Sequence, residues 1–220
     1  MKMKKLWAVL VGMMFLAGCA TTNTQQSGFL GDYYKNLGPG PEGGAKMRWM
    51  KPGADFGKYN KVMLDSVVFA LAGDAENKTI DPEIMKDLQA KCNLALVNAI
   101  KEKYPIVTEP GPDVARIRIA ITGIKPSSPV LSAVTSVNPV GLVVNLVKKG
   151  GSGSYTGSGA TNAELMGLDS VSNEVIIVAQ DEATAGFTER FSKYGSVEES
   201  FKYWGEKIVK FLDEAKAGKK

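Results

Sequence analysis

The chain has 220 residues, of which 27 are Lys or Arg and 23 are Asp or Glu, and it contains no histidine. Without histidine the commonest general base, the Ser-His and Cys-His nucleophile pairs and the usual zinc ligands are all excluded. We therefore expect no catalytic residue, no metal and no cofactor, and enzyme activity is the less favoured interpretation.

The first nineteen residues predict an export signal. Three lysines, at positions 2, 4 and 5, precede an apolar run over 6–16, which is shorter than the ~20 residues that a membrane-spanning helix needs. The run ends in Leu-Ala-Gly-Cys at 16–19. This tetrapeptide resembles the bacterial lipobox, in which the signal is cut before the cysteine and the cysteine is acylated. The resemblance implies a lipoprotein signal peptide over 1–18 and lipidation of Cys19 by chains such as palmitate.

Acylation of Cys19 would make the membrane a partner of the mature chain, because several acyl chains anchor durably where a single chain binds reversibly. Ala20 stands where an aspartate is the familiar inner-membrane retention signal of enteric bacteria. We therefore predict a location at the cell outer membrane, with the following domain in the periplasm. Residues 19–26 are polar and without periodicity, which is typical of a flexible tether.

The charge of the mature chain is close to neutral. The signal holds three lysines and no acidic residue, which leaves 24 of the 27 basic residues against all 23 acidic ones. A nucleic-acid-binding domain carries clustered Lys and Arg on one face, so no nucleic-acid partner is expected. With Cys19 acylated, Cys92 has no cysteine partner, and its apolar neighbours predict a buried free thiol.

The mature chain divides into an extended N-terminal segment over 27–60 and an α+β domain over 61–216. The first strand is predicted over 61–70, and Asp81-Pro82 then marks the start of a helix that runs to Lys103. Tyr104-Pro105 ends the helix, and 106–108 is a candidate edge strand. The helix has one core-facing stripe, formed by Ile84, Leu88, Cys92, Ala95, Leu96 and Ala99.

The second half of the domain predicts three strands and a helix. Residues 114–124 alternate in polarity, with Ala115, Ile117, Ile119 and Ile121 on one face and Arg116, Arg118 and Thr122 on the other. The two arginines are a candidate anion site, but a solvated face is the favoured interpretation. Strands over 159–168 and 174–180 follow as a pair. The last helix, over 196–215, has an apolar stripe of Val197, Phe201, Trp204, Ile208, Val209 and Leu212.

This order of elements predicts an α+β fold, a two-layer sandwich in which two amphipathic helices cover one face of a mostly antiparallel sheet. Four carboxylates lie in or beside the predicted strand pair, and we assign them structural or solvated roles rather than catalytic ones: Glu164, Asp169, Asp181 and Glu182.

An apolar and glycine-rich insertion is predicted over 129–159. Residues 129–147 carry no charge, Asn138-Pro139 interrupts them, and a glycine-serine run follows at 150–159. One interpretation is a pair of short helices that cover the open side of the sheet. The other is an exposed arm that contacts lipid or an envelope protein, since large exposed apolar patches mark such sites. The candidate contact residues are Val130, Leu131, Val134, Val140, Leu142, Val143, Val144 and Leu146.

Several short motifs accompany the lipobox along the mature chain, namely Ser27-Gly28-Phe29-Leu30, Asp32-Tyr33, Tyr59, Glu164, Asp169 and Trp204. In these motifs the chain resembles a family of uncharacterised small lipoproteins of Gram-negative bacteria, defined by a domain of unknown function. The resemblance brings no activity, cofactor or catalytic residue with it.

Together these patterns predict an outer-membrane-anchored lipoprotein whose periplasmic domain is a binding or accessory module of the cell envelope. Two alternatives stay open. One is a periplasmic hydrolase that uses serine or carboxylate residues, and the other is a carrier of a small apolar ligand.

Overall fold

The computed structural model describes residues 26–71, 80–128, 159–184 and 195–218. These residues form two α-helices, α1 (Pro82–Ile100) and α2 (Gly195–Lys216), a 3-10 helix over Gly31–Asn36, and one sheet. The strands of the sheet are β1 (Gly38–Pro39), β2 (Met47–Met50), β3 (Lys61–Leu64), β4 (Val68–Phe69), β5 (Val114–Lys125), β6 (Ala160–Asp169) and β7 (Val175–Thr184).

The strands follow the spatial order β1-β2-β7-β6-β5-β3, with β4 also paired to β5. All pairs are antiparallel except β3 and β4, which run parallel to β5. The apolar stripes of both helices pack against one face of β5 and β6 in a single core that includes Ile117, Ile119 and Ile121. The predicted α+β fold with a mostly antiparallel sheet and two amphipathic helices is therefore confirmed.

The first predicted strand, over 61–70, is divided into β3 and β4, so a single continuous strand was wrong. The division falls at Val67, whose backbone turns from the sheet towards α1. Its N–H donates to Asn93 Oδ1 at 2.9 Å, and its carbonyl accepts from the side-chain amide of Gln89. Buried backbone groups need hydrogen-bond partners. The backbone N–H groups of Asp65 and Ala70, on either side of Val67, donate to carbonyls of β5, whereas α1 supplies the partners of Val67.

Helix α1 begins where the sequence predicts. The Asp81 side chain accepts a hydrogen bond from the Glu83 N–H at 2.8 Å, and proline follows the cap. The buried positions recur every four residues, at Leu88, Cys92, Leu96 and Ile100. Ile84 was expected on this stripe but is 37% exposed, because the buried stripe starts one turn later.

The two helices approach each other closely at Gly205. A Cβ atom at this position would lie only 2.5 Å from the Cβ of Ala99, well inside van der Waals contact. The absence of a side chain at 205 therefore sets the distance between α1 and α2.

Replacing Gly205 by leucine is expected to lower the free energy of unfolding by about 2 kcal/mol, because inserting methylene groups into a packed contact forces the helices apart. Urea unfolding followed by circular dichroism measures the change. Glu206→Leu, at an exposed position next in the same helix, is the matched control and should change stability little. Equal midpoints for the two variants would show that the helices are not in close contact.

The opposite face of the sheet is covered by the N-terminal segment. Leu30 is buried there against Met166, Leu168 and Val178, and Trp49 packs at the edge of this second cluster. Within 27–60 the chain thus carries the 3-10 helix, β1 and β2, and its Phe56 and Tyr59 are buried in the main core. Residues 129–147, which the sequence offered as cover for this side of the sheet, lie outside the described residues.

Strand β5 shows the predicted alternation of burial from Ala115 to Ile119, and from Ile119 to Ile124 every residue is buried. Arg116 and Arg118 lie on the face away from the helices, as expected, but Thr122 is buried rather than solvated. The register between β5 and β6 shifts between Ile121 and Gly123. A bulge of this kind re-aims side chains along a strand, but the alternation already ends at Ala120, which precedes the shift and is fully buried.

Candidate binding cavity

Three of the four sheet carboxylates, Glu164, Asp169 and Asp181, accept structural hydrogen bonds, and the fourth, Glu182, lies 3.7 Å from Lys46 Nζ at the surface. Asp169, at the end of β6, accepts from Lys58 Nζ at 2.8 Å and from the Tyr59 hydroxyl at 3.1 Å. It also accepts from the backbone and hydroxyl of Ser172 in the β6–β7 turn, at 3.0 Å each. These contacts fasten the N-terminal segment and the turn to the end of the sheet.

The environment of this cluster shifts the pKa values of Asp169 and Tyr59. The hydrogen bond from Lys58, with those from Ser172, holds the pKa of the Asp169 carboxyl well below its usual range. Burial, and then the hydrogen bond to Asp169, raises the pKa of Tyr59 to about 12. Asp169 is therefore ionised and Tyr59 neutral at physiological pH, which suits a structural bond rather than proton transfer.

Glu164 is the centre of a second cluster on the face away from the helices. It is 1% exposed and accepts from the Ser27 hydroxyl at 2.7 Å, the Tyr34 hydroxyl at 2.8 Å and Gln180 Nε2 at 2.9 Å. Burial raises the pKa of Tyr34, so that this hydroxyl remains a donor. The Ser27 hydroxyl also accepts from the Phe29 N–H at 3.1 Å, so it serves to hold the chain locally.

Asp181, on β7, links α2 to the sheet. It accepts from Trp204 Nε1 at 3.0 Å, Lys207 Nζ at 2.8 Å and the backbone N–H of Lys46 at 3.1 Å. Lys207 also donates to the Gly44 carbonyl at 2.7 Å. The loop that precedes β2 is thereby held over the side of α2.

Two pairs of the motif residues thus meet, and the motif residue Trp204 meets a carboxylate outside the motifs. Hydrogen bonds join Ser27 to Glu164 and Tyr59 to Asp169, and another joins Trp204 to the carboxylate of Asp181 on β7. The sequence did not identify Tyr34, Gln180 or Lys58 as members of these clusters. Partners such as Ser27 and Glu164 are 137 residues apart, and hydrophobic periodicity carries no signal at that range.

The two arginines of β5 do not form an open anion site. Arg116 binds Asp65 with two nitrogens at 2.9 Å each and also donates to Asn173. Arg118 Nε lies 3.4 Å from the same carboxylate, and its guanidinium lies over the Phe29 ring. Paired in this way they stabilise the face that the sequence predicted to be solvated.

A cavity of about 890 Å³ lies between α2 and the helix-facing side of the sheet. Residues 41–57 form its third wall. The volume falls in the range of small-molecule sites, about 300–1,000 Å³. Aliphatic and aromatic side chains make up most of its lining, among them Phe56, Ile117, Leu165, Trp204, Ile208 and Phe211.

Charged side chains line the same cavity: Arg48, Lys51, Lys207, Lys210, Glu42, Asp55, Asp181 and Glu214. Lys207 is paired with Asp181 at 2.8 Å, and Lys210 lies 3.8 Å from Glu214. Arg48 lies with its guanidinium carbon 6.0 Å from the centre of the Phe211 ring. An apolar interior bordered by a few polar groups is the usual composition of a small-ligand site.

Cys19 and the eight candidate contact residues over 130–146 lie outside the described residues. Cys92 is a buried free thiol, and burial raises its pKa to about 12, which makes it unreactive. The described residues contain no cluster of His, Cys, Asp and Glu that could hold a metal ion. Among the described helices none is both long and apolar enough to cross a bilayer.

One known protein family matches most of this chain. Residues 25–208 match the family described as Protein of unknown function (DUF3313). The chain belongs to this family, and the resemblance seen in the sequence to a family of uncharacterised lipoproteins is confirmed.

Two relatives are lipoproteins of Escherichia coli. The chain is 30% identical over 141 residues to the uncharacterised lipoprotein YdcL of strain K12 and equally to that of O157:H7. The match covers 62% of this chain and 63% of each relative, so it spans less than two thirds of their length.

Solved structures give weaker likenesses. A PelC dodecamer from Paraburkholderia phytofirmans is 10% identical, with a TM-score of 0.39 over 74% of this chain and 96% of that one. A putative neuraminyllactose-binding hemagglutinin homolog from Helicobacter pylori is 11% identical, with a TM-score of 0.30 over 76% of this chain and 88% of that one. At this level of similarity neither structure bears on what the chain binds.

Proposed function

We propose that the chain is an acylated outer-membrane lipoprotein whose periplasmic domain binds a small apolar ligand in the cavity between α2 and the sheet. The anchor rests on the Leu-Ala-Gly-Cys motif at 16–19, on Ala20 after it, and on the similarity to a lipoprotein. In this proposal residues 1–18 are the signal peptide and 19–26 the tether.

The tether keeps the domain near the bilayer. Extended chain reaches at most about 3.5 Å per residue, so the seven residues from Ala20 to Gln26 span no more than about 25 Å. The domain side of the tether is fixed immediately afterwards, because Ser27 is bonded to the buried Glu164. A ligand leaving the membrane surface would therefore meet the domain within a short distance.

The observation that carries the binding function is the apolar cavity. Burial of apolar ligand surface is favourable by about 25 cal/mol per Å², and aliphatic and aromatic side chains of the sheet and α2 offer such a surface. The hydrolase alternative finds less support, because the described carboxylates Glu164, Asp169 and Asp181 all serve in structural hydrogen bonds.

Photocrosslinking in living cells tests the cavity. Phe211, which lines it, is replaced by p-benzoylphenylalanine in the full lipoprotein, and Tyr203, exposed on the same helix and outside the lining, serves as the matched control. We expect an adduct of small mass at Phe211, identified by mass spectrometry, and none at Tyr203. Irradiation without any small adduct at Phe211, in cells that produce the protein normally, would refute ligand binding in the cavity.

The apolar arm is proposed as a separate contact with lipid or with an envelope protein. The same crosslinker at Leu142 should capture that partner, and replacement of 130–147 by a Gly-Ser linker should abolish crosslinks made elsewhere on the domain to the same partner. Unchanged crosslinks after the replacement would assign the arm a purely structural role.

A further inference from the structure

Three of the four cationic side chains that line the cavity are paired with carboxylates: Lys51 with Glu174, Lys207 with Asp181 and Lys210 with Glu214. The fourth is Arg48. Arg48 lies on β2 opposite Ala179 of β7, and both residues line the cavity. Its guanidinium lies over Phe211, whose ring lines the same cavity. An aromatic ring holds a neighbouring guanidinium at a defined position and leaves its N–H groups able to donate hydrogen bonds.

Among residues 26–71, 80–128, 159–184 and 195–218, no carboxylate lies within ion-pair distance of Arg48. The nearby carboxylates have other partners: Asp181 binds Lys207, Glu214 lies beside Lys210, and Asp55 accepts from the Gly57 N–H. Glu42 is exposed on its loop. Burial lowers the pKa of Arg48, and the negative charge of Glu214 opposes that shift.

A half-buried arginine loses hydration, and with no described carboxylate bound to it that loss is costly unless a ligand supplies the partner. Its planar donors match the two oxygens of a carboxylate or phosphate. Most of the remaining lining is aliphatic or aromatic and suits a hydrocarbon chain. An apolar cavity with a single cation that has no ion pair to a described carboxylate suits an amphiphile with one anionic head.

We propose that the cavity binds a single-chain anionic amphiphile, with its acyl chain between α2 and the sheet and its carboxylate or phosphate head hydrogen-bonded to Arg48. This inference rests on the proposed ligand-binding function and names the class of ligand.

Tryptophan quenching tests both the site and the head. The full lipoprotein, held in phosphatidylcholine nanodiscs, is titrated with doxyl-labelled stearic acid, with its methyl ester, and with doxyl-labelled lysophosphatidic acid. Trp49→Phe leaves Trp204, which lines the cavity, as the reporter of the domain. Trp204→Phe leaves Trp49, which packs on the opposite face, and supplies the background.

In the Trp49→Phe protein we expect both acids to quench Trp204 saturably. The methyl ester should bind about tenfold more weakly than the acid, because it lacks the charge for one charge-assisted hydrogen bond. Arg48→Gln should weaken binding of both acids about tenfold and leave binding of the ester unchanged. The matched control is Arg118→Gln, an arginine that also lies over a phenylalanine ring but on the other face. It should alter neither.

The outcomes separate the two proposals. Equal binding of acid and ester, unaffected by Arg48→Gln, would overturn recognition of the head while leaving the apolar site intact. Quenching of Trp204 no greater than that of Trp49 by every probe would overturn the ligand-binding function itself. A preference for lysophosphatidic acid supports the proposal with a membrane lipid as the source, and a preference for stearic acid supports it with a free fatty acid.

Discussion

Replacement of Cys19 by alanine is expected to abolish incorporation of palmitate and to prevent cleavage of the signal peptide before residue 19. The thiol is the group that the lipobox chemistry acylates, and several acyl chains give anchoring that one chain cannot. Cells are labelled with an alkyne analogue of palmitate, and the purified protein is examined for label and for the mass of its N-terminus.

The matched control is Cys92→Ala, which removes the other cysteine of the chain. Cys92 is buried and its thiol is unreactive, so this variant should keep full label. Label that survives in Cys19→Ala, or that is lost in Cys92→Ala, would contradict acylation at Cys19.

The outer-membrane location has its own variant. Ala20→Asp creates the retention signal that the sequence lacks and should move the acylated protein to the inner-membrane fraction of a sucrose gradient. Residence of the unaltered protein in the inner-membrane fraction would refute the proposed location while leaving the anchor in place.

Asp169→Asn is expected to lower the free energy of unfolding by about 2 kcal/mol near neutral pH, since the buried Asp169 loses charge-assisted hydrogen bonds, while the half-exposed Lys58 is hydrated instead. The variant loses the charged acceptor of Lys58 and Tyr59. Urea unfolding of the chain beginning at Ala20 measures the effect. Asp32→Asn is the control, because the Asp32 carboxylate is exposed and its pair with Lys35 should contribute no more than about 1 kcal/mol.

The sign of the pH dependence follows from the lowered pKa of Asp169. A group with a lower pKa in the folded than in the unfolded chain stabilises fully above its unfolded value, about 3.9. That stability is lost as pH falls through the folded value. The difference between the unaltered protein and Asp169→Asn should therefore be constant from about pH 5 to neutrality and shrink in acid. A difference that grows in acid would contradict the role of the charge.

Two elements depart from the prediction, in the first strand and in the first helix. Residues 61–70 have the composition of one strand, yet the chain leaves the sheet at Val67 because Asn93 and Gln89 of α1 bind its backbone. Ile84 lies on the right face of α1 but beyond its buried stripe. At Val67 a neighbouring element decided the outcome, and the pattern of residues within 61–70 does not indicate that neighbour.

What the sequence determined by itself is what depends on near neighbours: the lipobox motif, the cap and stripe of α1, the alternation of β5, the extent of α2 and hence the α+β class. Helical and strand periods relate residues a few positions apart, so such features can be seen along the chain. Only the tertiary structure brought Ser27 and Tyr34 to Glu164, and Arg48 to Phe211 at the apolar cavity. Those contacts depend on how β2, β6, β7 and α2 pack, and no spacing in the sequence encodes them.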